Sequence, residues 1–149
     1  MIKRYGNAPE SGRRYIRRPG VYAVLRLRDE ILMTHQDSPV PEFQLPGGGI
    51  DAGEHPIAAL HREVMEETGW HIGGLLRLGT FRRFTFMAEY EIWAEKVCTV
   101  YLARPVLRIS APTEPGHQAV WVSTQSALDL LANDGDRAIL AKSLRYPTP

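Results

Sequence analysis

Pro56 and Gly69 bracket a segment whose apolar residues Ile57, Leu60 and Val64 recur at helical spacing. A proline suits the first helical position, where its missing N–H costs nothing, and a glycine suits the residue just past the end. One helix, Pro56 to Thr68, is therefore predicted, with a single apolar stripe that has to lie on another layer of structure. Within it Glu63, Glu66 and Glu67 stand at i, i+3 and i+4, which gathers their carboxylates on one face. Like charges at that spacing destabilise an isolated helix, and the negative end of the helix dipole makes them worse. Arg62 can pair with Glu66 at i+4 and offsets only part of this. Such a cluster is either a solvated acidic face or a place that takes up cations. Hard divalent ions such as Mg²⁺ or Mn²⁺ would be the match, since they favour carboxylate and carbonyl oxygen.

The remainder of the chain narrows the class. At 149 residues, with 44% hydrophobic and 23% charged, it is one globular domain's worth of protein and neither disordered nor fibrous. No apolar run approaches the roughly 18 residues of a membrane helix, and the first twenty residues lack the apolar core of a secretory leader. The lone Cys98, among Val97, Thr99, Val100 and Tyr101, reads as a buried apolar side chain without a disulfide or zinc partner. A cytoplasmic protein with no membrane partner is the expectation. The net charge of +1 conceals a basic start: residues 1–28 hold eight Lys or Arg against Glu10 alone. Fifteen of the eighteen basic residues are arginine, whose planar fork pairs with phosphate. A phosphorylated partner and a merely solvated basic arm both fit.

Residues 1–14 read as a flexible basic arm, because Gly6, Asn7, Pro9, Ser11 and Gly12 break any periodicity, ahead of a domain over 15–146. Val21–Leu27 and Ile31–Thr34 are predicted as a hairpin, and Phe43–Leu45 as a short extended piece. The run Gly47-Gly48-Gly49 is predicted to turn sharply and to let a carbonyl approach a metal or phosphate. Leu75–Phe86 and Ile92–Leu107 read as long strands of a meander, with Ala119–Val122 as a further strand. Helices are expected from Ser123 to Leu131, capped by Ser123, and from Arg137 to Leu144. Without strict βαβ alternation this is an α/β chain with a mixed sheet covered by helices on both sides.

Read from Gly48, the segment GGIDAGEHPIAALHREVMEETGW sets Gly48, Glu54, Arg62-Glu63, Glu66-Glu67 and Gly69 at fixed intervals, followed by apolar Trp70. It resembles a complete Nudix box, the signature of the Nudix (MutT-type) hydrolase family. Seven fixed residues at ordinary background frequencies coincide by chance on the order of 10⁻⁸ per position. Trp70 replaces the usual aliphatic residue, and His55 stands where a serine or threonine cap is common.

The resemblance implies an α/β/α sandwich around a mixed sheet and a pyrophosphohydrolase acting on a nucleoside diphosphate derivative or a similar phosphate-rich molecule. It implies that Glu63, Glu66 and Glu67 bind Mg²⁺ or Mn²⁺, with the Gly47 carbonyl adding a ligand. Glu63 would be the general base, Arg62 would hold the glutamates, and Glu54 would support the loop or a second ion. A ligand from outside the box is expected, with Glu114 the best placed and Glu89, Glu91 and Glu95 the alternatives. Arg82 and Arg83 are candidates for a phosphate-rich substrate, along with His35 and His117 in loops. Phe81, Phe84, Phe86, Tyr90 and Trp93 could stack a base, although most are expected in the core. The basic start also suits the 5′ end of RNA, and a non-catalytic nucleotide sensor on the same fold is the third reading.

Overall fold

A computed structural model describes all residues from Met1 to Pro149. In chain order the elements are β1 (Lys3–Arg4), β2 (Ile16–Leu27), β3 (Glu30–Gln36), β4 (Glu42–Gln44), β5 (Gly47–Gly49), α1 (Pro56–Thr68) and β6 (Trp70–Met87). A 3-10 turn, Ala88–Tyr90, leads to β7 (Ile92–Arg108), β8 (His117–Ser123), α2 (Thr124–Leu130) and α3 (Asp134–Ser143). The sheet runs β1-β6-β7-β2-β3-β4, with β5 pairing on β2 and β8 on β3. The pairing is mixed: β2 lies parallel to β7 but antiparallel to β3 and β5.

Alternation along β2 divides the core. Val21, Ala23 and Leu25 pack with Ala59, Leu60 and Val64 of α1, whereas Val24 joins Phe81, Cys98, Val100 and residues of α2 and α3 on the other face. The expected layering, helices on both sides of a mixed sheet, is what the chain adopts. Cys98 is buried as expected, and burial pushes its thiol up to about 11.

Three expectations are corrected. The glycine run is not a free turn but a strand, pairing Gly20 with Gly49, Val21 with Gly48 and Tyr22 with Gly47. A β-carbon on Gly47 would overlap the backbone of Val21 and Tyr22, so glycine here permits close strand contact as well as unusual torsions. The supposed flexible arm adds strand β1, pairing Lys3 with Phe81 and Arg4 with Arg82, and Tyr5 packs edge-on against Phe81 at 5.7 Å. Of the five aromatics expected mostly in the core, only Phe81 is buried.

Leu60 is fully buried between α1 and the sheet. Leu60→Ala should lower unfolding free energy by about 2–5 kcal/mol, measured by urea denaturation.

Candidate active site

Both ends of α1 are closed by identifiable groups. His55 accepts the Ile57 N–H on its Nδ1 at 3.1 Å, so the ring nitrogen caps the helix where a hydroxyl was missed. Gly69 takes the left-handed conformation at φ 75° and returns its N–H to the Met65 carbonyl. The carbonyls left over at this end are taken up by one loop. Ile109 and Ser110 donate to the Gly69 carbonyl at 2.8 and 3.3 Å, and Thr113 and Glu114 donate to the Glu66 carbonyl at 2.8 and 3.1 Å. The loop bound in this way carries Glu114 to the acidic face of the helix. Carboxylate oxygens of Glu63, Glu66 and Glu114 then lie within 4.8 Å of one another.

Strand β5 closes the other side. A β-carbon on Gly48 would sit 2.5 Å from the Glu63 carboxyl carbon, so no side chain fits between this strand and the carboxylates. Gly47 meets the cluster through its N–H, which donates to Glu67 Oε1 at 3.1 Å. Glu67 is buried behind Glu63 and Glu66 and is not one of the three converging carboxylates.

Arg62 ties these parts together. Its Nε and Nη2 grip both oxygens of Glu54 at 2.8 Å, and Nη2 also donates to the Gly49 carbonyl at 3.1 Å. Its Nη1 donates to Glu63 at 2.9 Å and to Glu66 at 3.4 Å. The loop from Gly49 to Glu54 therefore folds back onto the helix. The bond from Arg62, with a further one from the Asp51 N–H, holds the Glu54 carboxyl down at about 2.

Burial works in the opposite direction on the next two groups. It raises Glu63 above its ordinary value against the pull of Arg62, and it raises Glu67 well above against the Gly47 N–H. Neighbouring carboxylates push both further up. The cluster thus holds more negative charge than Arg62 can neutralise. Its donors are all carboxylate oxygen, and a divalent cation of the Mg²⁺ or Mn²⁺ kind fits them.

Other candidates fall elsewhere. Glu95 is engaged by Arg17 at 3.3 Å and Arg82 at 3.5 Å, Glu89 and Glu91 lie at the β6–β7 turn, and none of the three joins the cluster. His35 sits 3.4 Å from Asp37, and His117 lies 3.4 Å from the Pro115 carbonyl. Arg82 and Arg83 are neighbours on β6, and by strand alternation they face opposite sides of the sheet. Arg83 lines a cavity of about 240 Å³ with Tyr5, Asn7, Thr85, Asn133 and Asp134. A narrower cleft beside it is lined by Tyr22, Lys96 and buried Asp136, which the sequence reading missed. The signal was present at Asn133. Its side chain exchanges two 2.8 Å bonds with Asp136 as the cap of α3, a polar pair ahead of the apolar Ile139 and Leu140.

The NUDIX domain profile matches residues 16–143. The chain belongs to the Nudix hydrolase family. An RNA pyrophosphohydrolase of Cereibacter sphaeroides is 52% identical over 54 residues, 35% of this chain and 33% of that protein. A CMP-5′-(N-acetyl-N-hydroxy-3-aminopropyl)phosphonate hydrolase of Streptomyces rubellomurinus is 29% identical over 125 residues, 78% of this chain and 57% of that one. The chain thus spans about a third of the first relative's length and little more than half of the second's. A MutT protein of Bacillus halodurans superposes with a TM-score of 0.71 at 22% identity, over 87% of this chain and 83% of that one. A NUDIX hydrolase of Nitrosomonas europaea gives 0.70 at 18%, over 86% and 88%. At these identities the likeness is one of fold.

Raised carboxyl values have a fixed sign in stability. The contribution of Glu67 is fully present below its ordinary value of 4.5 and is lost as pH rises through its raised folded value. In chelator, the Glu67→Gln protein should therefore gain thermal stability relative to the unaltered chain as pH rises toward neutrality. Melting curves of both across that range check it. A gap that stays constant or reverses would show that Glu67 is charged at no cost.

Proposed function

We propose that residues 15–146 form a metal-dependent pyrophosphohydrolase that cleaves a P–O–P linkage in a nucleoside diphosphate derivative or similar phosphate-rich small molecule. The observation that carries this reading is the convergence of Glu63, Glu66 and Glu114 against a strand of glycines, in a chain of the Nudix family. Glu63, Glu66 and Glu114 would hold Mg²⁺ or Mn²⁺, with Glu67 behind them and Gly47 at their edge. A divalent cation there would offset phosphate charge and make a water molecule easier to deprotonate.

The chain's own groups supply the rest. Glu63, partly buried and held by Arg62 at the edge of the cluster, would accept the proton of the attacking water. Arg62 keeps its carboxylate in place and, with Glu54, keeps the Gly49–Glu54 loop closed over the helix. Arg82, on the face of the sheet that packs α1, would take phosphate contacts of the substrate, and Arg83, at the cavity on the other face, would take part only if the substrate reaches round the sheet. The RNA-named relatives and the basic first 28 residues favour a second reading, the 5′ triphosphate of RNA as substrate. A cytoplasmic location fits either substrate.

The test is purified protein with Mg²⁺ against a panel of nucleoside triphosphates, dinucleoside polyphosphates, inositol pyrophosphates and 5′-triphosphorylated RNA, with products resolved by chromatography. EDTA should abolish turnover, and added Mg²⁺ or Mn²⁺ should restore it. Glu63→Gln should lower kcat by about two or more orders of magnitude with the fold intact. AMP and p-nitrophenyl phosphate should remain uncleaved, and preference for such monoesters would overturn the reading.

A further inference from the structure

The outer half of the β6–β7 hairpin lies apart from the carboxylates, yet it carries an organised surface. The register sets Phe84 opposite Glu95, Phe86 opposite Trp93 and Arg17 beside Glu95, so these side chains share one face. Tyr15 lies across them, 4.8 Å from the Phe84 ring and 6.2 Å from Trp93, while Phe86 is 5.2 Å from Trp93. Phe86 and Trp93 remain 47% and 37% exposed, so these rings are not there to fill a core. Arginines border them. The Arg13 guanidinium stacks 3.8 Å over Trp93, and Arg17 shares this face, whereas Arg18, 4.6 Å over Tyr90, alternates to the other side of the sheet.

This surface is continuous with the candidate active site. Val21, packed against α1, pairs with Thr99, and the same alternation carries that face of the sheet to Arg17, Glu95 and Trp93. Arg17 precedes Gly20 on β2, and Gly20 pairs with Gly49, whose carbonyl holds Arg62. At about 3.3 Å per residue the platform begins on the order of 10 Å from that carbonyl. A polymer with phosphate at every step and a flat ring at every step would follow both features.

We infer that Tyr15, Phe86 and Trp93, with Arg13 and Arg17, form a stacking platform for single-stranded RNA whose 5′ end lies at the carboxylates. The inference rests on the proposed pyrophosphohydrolase reading, because an RNA chain bears its P–O–P linkage at that end. Charge selects the occupant. Residues 1–28 hold eight basic side chains against one acidic, and a two-fold dimer through this face would set arginine against arginine.

The experiment is fluorescence anisotropy of the full chain with a short, unstructured 5′-hydroxyl oligoribonucleotide labelled at its 3′ end, in chelator. Binding thus depends neither on metal nor on cleavage. The unaltered protein should bind saturably, Trp93→Ala should weaken binding about tenfold, and Trp93→Phe should restore most of it. Arg13→Ala with Arg17→Ala should weaken binding and flatten its dependence on log salt by about one unit. Melting curves of each variant establish that the fold is retained. No saturable binding, binding unchanged by Trp93→Ala, or a dimer in light scattering that Trp93→Ala dissociates would each overturn the platform. RNA binding with these dependences but no hydrolysis of any P–O–P compound would overturn the enzymatic reading alone. Hydrolysis without RNA binding would overturn the platform alone.

Discussion

A single guanidinium holds the site in one piece. Arg62 has donors in a planar fork, and they reach Glu54, Glu63, Glu66 and the Gly49 carbonyl, which belong to a loop, a helix and the end of a strand. A lysine ammonium at the same place could not hold Glu54 through two nitrogens while a third met Glu63. Because Arg62 is committed to these groups, it leaves the outer carboxylates short of positive charge. The same residue thus builds the acidic cluster and leaves it in need of a cation.

Helix termination provides the second constraint. The last turn of α1 has carbonyls without helical partners, and loop 109–114 supplies the N–H groups that satisfy them. Glu114 arrives at the cluster by this route, since its own N–H binds the Glu66 carbonyl. Gly69 makes the arrangement feasible, because a β-carbon there would run into Ser110. The backbone need of one helix end therefore becomes the geometry of a ligand set.

Much of this was legible in the chain. The bounds of α1 follow from Pro56 and Gly69, its buried face from Leu60 and Val64, and its acidic face from Glu63, Glu66 and Glu67. Helix and strand periodicities, along with caps such as Ser123, depend on neighbours in sequence and so can be read locally. The glycine run was misread because a missing β-carbon serves a tight turn and a close strand equally well. Strand β1 at Lys3–Arg4 escaped that reading because two residues of edge strand leave no periodic signal.

By itself, then, the sequence determined the amphipathic helix, its surplus of carboxylate and the family to which the motif belongs. These are properties of spacing along one element. Only the tertiary structure decided that Glu114 completes the cluster, that Glu67 lies buried behind it, and that Arg13 and Tyr15 settle on Trp93 and Phe84. Each of those depends on which unsatisfied carbonyl, exposed ring or unpaired carboxylate a distant segment meets when the sheet closes. Spacing along the chain does not carry that information.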